Sequence, residues 1–344
     1  MKPWKKAAIP SWPSLFSLPS VFFRRKKSLR RQNLGAWKPA FLPKRPGAVG
    51  KFSLRKSKTL PSLTSPSAIR EILAQNGIRL KKTLGQHFLA DANVLERIVE
   101  AIGPKATETV VEVGAGIGTL TVALAPKVKK LFAVEIDPRL IPILQENTQA
   151  FGNVQVLAAD FLELSLREFG KDLLLVGNLP YAITSEVLLK LVREREAVAR
   201  AVFTVQWEVG EKLVAPPGPK VNRLGVHLRA YFQVELLRKI SRTVFFPPPE
   251  VDGALVRIVR LSEPRISVPE EIFERTLALV FGHRRKTLRQ ALTAHFPPAL
   301  ADKILAELGL DPRVRGEALD LEDWDRLARR LSPYLSVAQD LSPR

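Results

Sequence analysis

Between residues 109 and 206, the sequence alternates short apolar runs rich in β-branched residues with segments of helical period. This alternation is typical of βαβ units, in which parallel strands form a sheet with helices on both faces. The sequence therefore predicts an α/β fold with a doubly wound parallel sheet. The predicted strands are TVVEV (109–113), LFAVEI (131–136), VQVLAAD (154–160), LLLVGN (173–178) and AVFTVQ (201–206).

Other segments extend this prediction at both ends. Two amphipathic helices are predicted ahead of the first strand, in SAIREILAQNGI (67–78) and NVLERIVEAIG (93–103). The runs YFQVELLRKI and ALVRIVRL flank the proline-rich FFPPPE and predict an antiparallel addition at one sheet edge. After Pro264 the pattern is wholly helical. We therefore predict a basic extension over 1–66, a sheet domain over 67–264 and a small helical domain over 265–344.

Most of the positive charge lies at the amino end of the chain. The net charge of +20 favours a polyanionic partner, nucleic acid before membrane. No Asp or Glu precedes Glu71, and residues 1–70 hold 17 Lys and Arg, so the 37 basic and 34 acidic residues of 71–344 contribute only +3. Frequent proline and the lack of any period predict disorder over residues 1–66. This extension is an RNA-contacting arm, an organellar transit peptide or an upstream-extended start.

The absence of cysteine removes several chemistries. A chain without thiols has no disulfides, thiolate zinc sites, iron–sulfur clusters or cysteine nucleophiles. The histidines show no i, i+4 pair of the kind that holds a metal on a helix; they are His87, His227, His283 and His295. We therefore expect no metal bound by protein ligands.

A glycine-rich turn follows the first predicted strand directly. Gly114, Gly116 and Gly118 permit close approach of backbone to a ligand, but their spacing differs from that of a pyrophosphate-binding turn. Glu135 ends the next strand, 21 residues after Gly114, where its carboxylate is placed to accept hydrogen bonds from ribose hydroxyls. The alternatives are a simple tight turn and a solvated carboxylate. The joint spacing favours an adenosyl ligand without phosphates.

Asp160 ends the third predicted strand in the same way. Its carboxylate is suited to accept a hydrogen bond from the exocyclic amine of an adenine along the sheet edge. The alternative is that Asp160 caps the helical segment that follows.

The sequence Asn178-Leu179-Pro180-Tyr181 follows the fourth predicted strand. Proline fixes its own backbone and donates no hydrogen bond, so the Leu179 carbonyl and the Asn178 side chain present two acceptors beside the Tyr181 ring. Two acceptors and a flat ring fit an amino group on a planar base. By holding the amine protons they localise its lone pair for attack on a methyl-sulfonium, with no strong general base needed. A turn capped by Asn and Pro is the alternative.

Seven motifs, in their order and spacing, resemble the rRNA adenine N6-dimethyltransferase family. Within that family, the basic helical segment and the helical C-terminal region are most similar to the bacterial small-subunit rRNA enzyme. The resemblance covers roughly residues 68–330 and implies a Rossmann-like, S-adenosylmethionine-dependent methyltransferase. The motifs are KKTLGQHFLAD, VVEVGAGIGTLT, VEID, AAD, GNLPYAITS, FFPPPEVDGALVRI and GHRRKTLRQAL.

The resemblance also implies roles for individual residues. S-adenosylmethionine contacts fall on His87, Leu89, Gly114, Gly116, Glu135, Asp160 and Asn178. His87 stands where the family commonly has Asn, and Trp207 where a basic residue is usual. Tyr181 is expected to stack on an extruded adenine. Phe245 either forms a second face for that base or belongs to the core.

A run of cations opens the predicted helix at 284–296. A basic run of this kind is suited to contact RNA phosphates, although it is equally typical of a solvated helix face. The residues are Arg284, Arg285, Lys286 and Arg289.

The resemblance implies dimethylation of two adjacent adenosines in the 3′-terminal hairpin of small-subunit rRNA, with a role in maturation of that subunit. The alternatives are methylation of large-subunit rRNA or DNA adenine, and a non-catalytic RNA-binding assembly or transcription factor on the same fold. The expected partners are small-subunit rRNA and the immature small ribosomal subunit. We expect a monomer in the cytoplasm without a membrane anchor, or an organellar protein if the extension is a transit peptide.

Overall fold

A computed structural model describes residues 63–80, 85–283 and 285–336. The strands are β1 (Phe88–Leu89), β2 (Thr109–Val113), β3 (Lys130–Glu135), β4 (Val154–Ala158), β5 (Leu173–Asn178), β6 (Val198–Gln206), β7 (Phe232–Ile240), β8 (Phe245–Phe246) and β9 (Gly253–Arg260). The α-helices are α1 (Pro66–Gln75), α2 (Ala92–Ile102), α3 (Thr119–Leu124), α4 (Ile141–Thr148), α5 (Thr184–Arg193), α6 (Trp207–Val214), α7 (Arg223–Tyr231), α8 (Glu270–Phe281), α9 (Leu288–Thr293), α10 (Pro298–Leu308) and α11 (Leu321–Ser336).

Seven strands form one sheet in the order β4-β3-β2-β5-β6-β9-β7. The first five pair in parallel, whereas β9 pairs antiparallel with both β6 and β7. The predicted α/β fold and its antiparallel edge are therefore confirmed. From β2 to β4 the chain adds strands on one side of β2, and after β4 it returns to add β5 and β6 on the other side. The connections on the two sides of the β2–β5 boundary therefore run in opposite directions. Ligands of such sheets bind at the carboxyl ends of the strands at this switch point.

Helices cover both faces of the sheet. Leu95 and Ile98 of α2 pack on one face, in a core that includes Val110 and Val202. Val110 of β2 and Val202 of β6 point to this face of the sheet, because successive side chains of a strand face opposite ways. Separately, β1 pairs antiparallel with β8 to form a two-stranded sheet.

The C-terminal helices belong to the core on the other sheet face. A single buried cluster joins Val111 and Phe203 of the sheet to Phe273 of α8 and Trp324 of α11. The helical character predicted after Pro264 is confirmed in the described residues. No helix in those residues has the length and hydropathy needed to cross a membrane.

The basic segment near residue 285 is less helical than predicted. Helix α9 starts only at Leu288, because the Thr287 hydroxyl accepts from the Gln290 amide while the Gln290 side chain accepts from the Thr287 amide. This reciprocal cap fixes the helix start. Arg285 and Lys286 therefore precede the helix, so the prediction that they open it was wrong, whereas Arg289 lies in its first turn; Arg284 lies outside the described residues.

His227 of α7 is buried against Phe273 of α8. Its side chain is 1% exposed, and neither ring nitrogen has a hydrogen-bond partner in the described part of the chain. The ring makes T-shaped contacts with the rings of Tyr231 and Phe273, at centroid distances of 5.9 and 6.0 Å. Burial, with a smaller contribution from nearby arginines, lowers the His227 pKa from 6.5 to about 4. The imidazole is therefore neutral at pH 7.

This buried histidine predicts acid sensitivity. Unfolded His227 binds a proton below pH 6.5 while the folded chain resists until about pH 4. Folding stability is therefore lost as the pH falls through this window. Relative to His227→Phe, we expect the free energy of unfolding of the wild-type protein to fall by about 1.4 kcal/mol per pH unit. Urea unfolding at pH 4.5, 5.5 and 7 measures this difference, and parallel curves for the two proteins would contradict it.

Candidate active site

A cavity of about 200 Å³ opens at the carboxyl ends of the central parallel strands. It brings together most of the predicted site residues from six separate segments. Those that line it are His87, Leu89, Gly114, Gly116, Glu135, Asp160, Asn178, Pro180 and Phe245. Leu179 and Tyr181 lie beside it in sequence but are not among its lining residues.

The glycine-rich turn forms the floor of this cavity next to β2. Gly114, Gly116 and Gly118 have φ angles of 72°, 60° and 89°, which side-chain-bearing residues rarely adopt. A Cβ atom on Gly116 would also approach Cε1 of Phe88 to 3.1 Å. Glycine at position 116 therefore serves both backbone conformation and close packing.

Glu135 connects the glycine turn to the end of β3. Its Oε2 accepts a hydrogen bond from the Gly116 amide at 2.7 Å, and its Oε1 accepts one from the Asp137 amide at 2.8 Å. Burial raises the pKa of Glu135, while these hydrogen bonds oppose the increase. Each oxygen retains a second lone pair for a ligand hydroxyl. The carboxylate is thus held in place before any ligand binds.

Asp160 caps a short helix, as one of its two sequence alternatives predicted, and it also lies at the cavity. One carboxylate oxygen accepts from the Leu162 amide at 2.9 Å and caps the short 3-10 helix Phe161–Glu163. The same side chain lines the cavity. Its other oxygen has no hydrogen bond from the described residues, so the capping role leaves an acceptor for a ligand.

Asn178 is oriented by a residue far away in sequence. Its Nδ2 donates to the His87 carbonyl at 2.8 Å. Since the amide nitrogen is used in this way, Oδ1 is the atom that remains, and it receives no hydrogen bond from the described residues. Asn178 therefore presents an acceptor from the end of β5 at the cavity.

The next three residues fix a second acceptor and the ring. The Leu179 amide donates to the Thr204 carbonyl at 3.0 Å, and the Leu179 side chain is buried in the core. The Pro180 carbonyl accepts from Ile183 and Thr184, whereas the Leu179 carbonyl accepts from none of the described residues. The Leu179 oxygen and Asn178 Oδ1 are therefore both available to an amine.

Tyr181 is half-buried beside the His87 ring. The two ring centroids are 5.9 Å apart, with planes inclined at 35°. Nδ1 of His87 shares a hydrogen bond with the Pro247 carbonyl at 2.7 Å and therefore carries a proton. Burial, with a contribution from Asp252, raises the Tyr181 pKa, so the phenol is neutral. Tyr181 is thus an uncharged ring that packs beside the His87 ring.

Phe245 lies at the boundary between the cavity and the core. Phe245 is 5% exposed and belongs to the core, yet it also lines the cavity.

Arg289 makes two hydrogen bonds with Asp302, at 2.6 and 2.9 Å, so its charge is paired. Arg285 and Lys286 are exposed and have no ion pair within the described residues.

Glu112 is a cavity residue that the sequence reasoning missed. It lies in β2, is 2% exposed, and accepts a hydrogen bond from the Thr121 hydroxyl at 2.6 Å. Burial raises its pKa from 4.5 to about 8. A carboxyl in the middle of the otherwise apolar run TVVEV was the available signal, since central parallel strands are buried on both faces. The carboxyl is therefore largely protonated at pH 7.

The raised pKa of Glu112 predicts that the fold loses stability as the pH rises from acidic to mildly alkaline values. The folded chain keeps a proton that the unfolded chain releases between pH 4.5 and about 8. Stability is therefore lost as the pH rises through this interval. Relative to Glu112→Gln, the free energy of unfolding of the wild-type protein should fall by about 1.4 kcal/mol per pH unit. Urea unfolding at pH 5, 6.5 and 8 tests this, and a pH-independent difference would contradict it.

Within the described ranges, no group of three or more His, Cys, Asp or Glu side chains is placed to hold a metal ion.

The parallel sheet with its switch-point cavity, glycine turn and strand-end carboxylates defines a Rossmann-like methyltransferase.

Comparison with known proteins identifies the family. Residues 77–332 match the sequence model described as ribosomal RNA adenine dimethylase. This range covers most of the chain, so the protein belongs to the ribosomal RNA adenine dimethylase family and is an enzyme of that family. The predicted family resemblance is confirmed.

Individual relatives agree with this assignment. The chain is 39% identical over 286 residues to ribosomal RNA small subunit methyltransferase A of Bacillus thuringiensis, covering 79% of this chain and 98% of the relative. The same protein of Bacillus cereus strain B4264 matches to the same extent. Among solved structures, a dimethyladenosine transferase from Plasmodium falciparum has a TM-score of 0.62 and 25% identity, over 71% of this chain and 96% of the other. The 23S rRNA methyltransferase ErmE has a TM-score of 0.59 and 30% identity, over 71% and 99%.

Proposed function

We propose that this enzyme transfers methyl groups from S-adenosylmethionine to N6 of two adjacent adenosines in the 3′-terminal hairpin of small-subunit rRNA, giving dimethyladenosines. The observation that carries the proposal is the pair of free acceptors, Asn178 Oδ1 and the Leu179 carbonyl, beside a cavity suited to an adenosyl ligand. We choose small-subunit rRNA as the substrate because the relatives that this chain matches over 98% of their length are named ribosomal RNA small subunit methyltransferase A.

The cavity residues divide into two groups. Glu135 is placed to accept from ribose hydroxyls and Asp160 from an adenine amine, while Gly114 and Gly116 let the donor approach the backbone. His87 and Leu89 line the same cavity. When bound, S-adenosylmethionine supplies an electrophilic methyl on a sulfonium.

The chemical step needs little from the protein beyond positioning. Asn178 Oδ1 and the Leu179 oxygen accept hydrogen bonds from the N6 amino group of an extruded adenine, which localises the N6 lone pair for attack on the methyl carbon. As the N–C bond forms, the C–S bond breaks and its electron pair goes to sulfur. N6 then loses a proton to water. Stacking of the base on Tyr181, with Phe245 as a second face, would hold it for this attack.

We also propose that small-subunit rRNA within the immature small ribosomal subunit, in the cytoplasm, is the partner. Arg285 and Lys286 are exposed cations in the proposed RNA-binding helical domain 265–344, which follows the sheet domain 67–264. Residues 1–62 of the basic extension lie outside the described residues, and the family match begins later, at residue 77.

The proposal is tested by incubating the protein with labelled S-adenosylmethionine and one of four substrates: immature small subunits, large subunits, free DNA or naked rRNA. The modified nucleoside is then identified after digestion. We expect dimethyladenosine in small-subunit rRNA alone. Label in large subunits or DNA would overturn the choice of substrate. Cofactor binding without any label would instead point to a non-catalytic RNA-binding factor.

A further inference from the structure

A second, smaller cavity of about 110 Å³ lies between helix α2 and strand β7. It shares Ile98 and Leu255 with the active-site cavity, so the two cavities are neighbours. Three cationic residues are among those that line it: Arg97 of α2, and Arg238 and Lys239 of β7. No role in the chemistry described above requires either arginine.

A β-bulge places Arg238 at this cavity. Leu236 pairs with Val256 of β9 and Arg238 pairs with the adjacent Leu255, so Leu237 is an extra residue in β7. One extra residue reverses the alternation of side chains along a strand. Leu236, before the bulge, packs in the core on the α8 side of the sheet, whereas Ile240, after it, packs in the core on the α2 side. Arg238 has the parity of Ile240 and therefore faces α2.

Lys239 borders the cavity, but the same bulge directs its side chain to the opposite face. Its Nζ lies 5.4 Å from the centre of the Trp207 ring and 2.9 Å from Asp252 Oδ2. The charge of Lys239 is therefore compensated within the protein. Without the extra residue, Lys239 and Arg238 would exchange faces, and the α2 side would lose its strand-borne guanidinium.

Arg97 and Arg238 lack such compensation. Both are exposed, and neither guanidinium group forms an ion pair or a hydrogen bond with any of the described residues. Glu100, one turn after Arg97 on α2, makes no ion pair with it in that part of the chain. Two unpaired guanidiniums lining one small cavity produce a positive potential that an anion would relieve. The cavity exceeds the roughly 30 Å³ occupied by a water molecule in the liquid.

We propose that Arg97 and Arg238 bind a backbone phosphate of the RNA strand that enters the active site. Guanidinium groups match the geometry of phosphate oxygens and form paired, charge-assisted hydrogen bonds with them. A phosphate held beside the catalytic cavity would fix the strand near the extruded adenosine and would carry no base specificity. This inference rests on the proposed RNA substrate and adds a contact outside the C-terminal basic segment.

The test compares two double variants of the full chain. Arg97→Gln/Arg238→Gln removes both charges, while Lys127→Gln/Lys129→Gln removes two exposed cations near the start of β3, at the other end of the sheet. Neither control lysine has an ion pair within the described ranges. Binding of an RNA hairpin with two adjacent loop adenosines is measured from 50 to 300 mM salt. Methylation kinetics and S-adenosylmethionine affinity are measured in parallel.

For the arginine variant, we expect the slope of log affinity against log salt to become shallower by about 0.7, the value for one lost phosphate contact on a single strand. The KM for RNA should rise about tenfold, with kcat and cofactor affinity unchanged. The lysine variant should retain a slope close to that of the wild-type protein. Equal slopes for the two double variants would overturn the phosphate site, as would a proportional loss of cofactor binding, which would indicate a structural role.

The outcome can be separated from failure of the proposed function. If the wild-type protein methylates no rRNA but its RNA binding still depends on Arg97 and Arg238, the phosphate site stands and the proposed reaction fails. If the wild-type protein methylates rRNA and the arginine variant binds RNA as the lysine variant does, the proposed reaction stands and the phosphate site fails.

Discussion

Asn178→Ala is expected to reduce methyl transfer by about 10³-fold, the upper range seen when a single preorganised polar contact is removed from an active site. The substitution deletes the Oδ1 acceptor and the hydrogen bond to the His87 carbonyl. RNA affinity should stay within about twofold, because the phosphate contacts that dominate RNA binding are untouched. Single-turnover methylation with saturating cofactor, combined with RNA binding measured separately, tests this prediction.

A matched control is available at the start of helix α7. Asn222 accepts from the Gly225 amide at 2.7 Å and is not among the residues lining the cavity. Asn222→Ala also removes an asparagine hydrogen bond, at a cost of about 1 kcal/mol for a lost helix cap, and should leave the transfer rate unchanged. Equal losses of transfer and RNA binding in Asn178→Ala would refute the role of Asn178 in holding the amine.

Glu135→Gln is expected to weaken S-adenosylmethionine binding by about 100-fold. Hydrogen bonds to a charged acceptor contribute about 1.5–3 kcal/mol each, and the ribose offers two hydroxyl donors. The amide would also present a donor toward the Gly116 or the Asp137 amide, which both donate to Glu135 in the wild-type protein. Calorimetric titration with S-adenosylmethionine measures the change.

Glu163→Gln provides the corresponding control, since Glu163 is exposed and does not line the cavity. Its cofactor affinity should equal that of the wild-type protein. RNA affinity should be unaffected in both variants. A change of less than threefold in cofactor affinity for Glu135→Gln, with the fold intact by circular dichroism, would contradict the assignment of Glu135 to the ribose.

The sequence determined the α/β fold and most of the cavity. Parallel strands linked by helices end at one edge of the sheet, so Gly114, Glu135, Asp160 and Asn178, which follow or end four successive strands, had to converge. This argument needs only the order of elements and the position of each residue within its element. The same reasoning correctly placed the antiparallel strands on either side of FFPPPE at one edge.

The sequence could not show which partner each polar group takes. The His87 carbonyl that orients Asn178 is 91 residues away, and Arg289 is paired with Asp302 of another helix. The start of α9 depended on whether Thr287 and Gln290 would cap each other in place of extending the basic segment into the helix. Whether such a hydrogen bond forms depends on differences of a few tenths of an ångström in the distance between donor and acceptor, which a residue pattern does not specify.

Tertiary structure also decided burial and side-chain direction. Glu112 is protonated because packing removes its carboxyl from water, and His227 is neutral for the same reason. Arg238 faces α2 because one extra residue in β7 reverses the alternation of the strand. Local sequence determines which elements form and in which order. Desolvation and strand register arise only when distant segments pack together, and here they determine the charges and directions of the groups at the site.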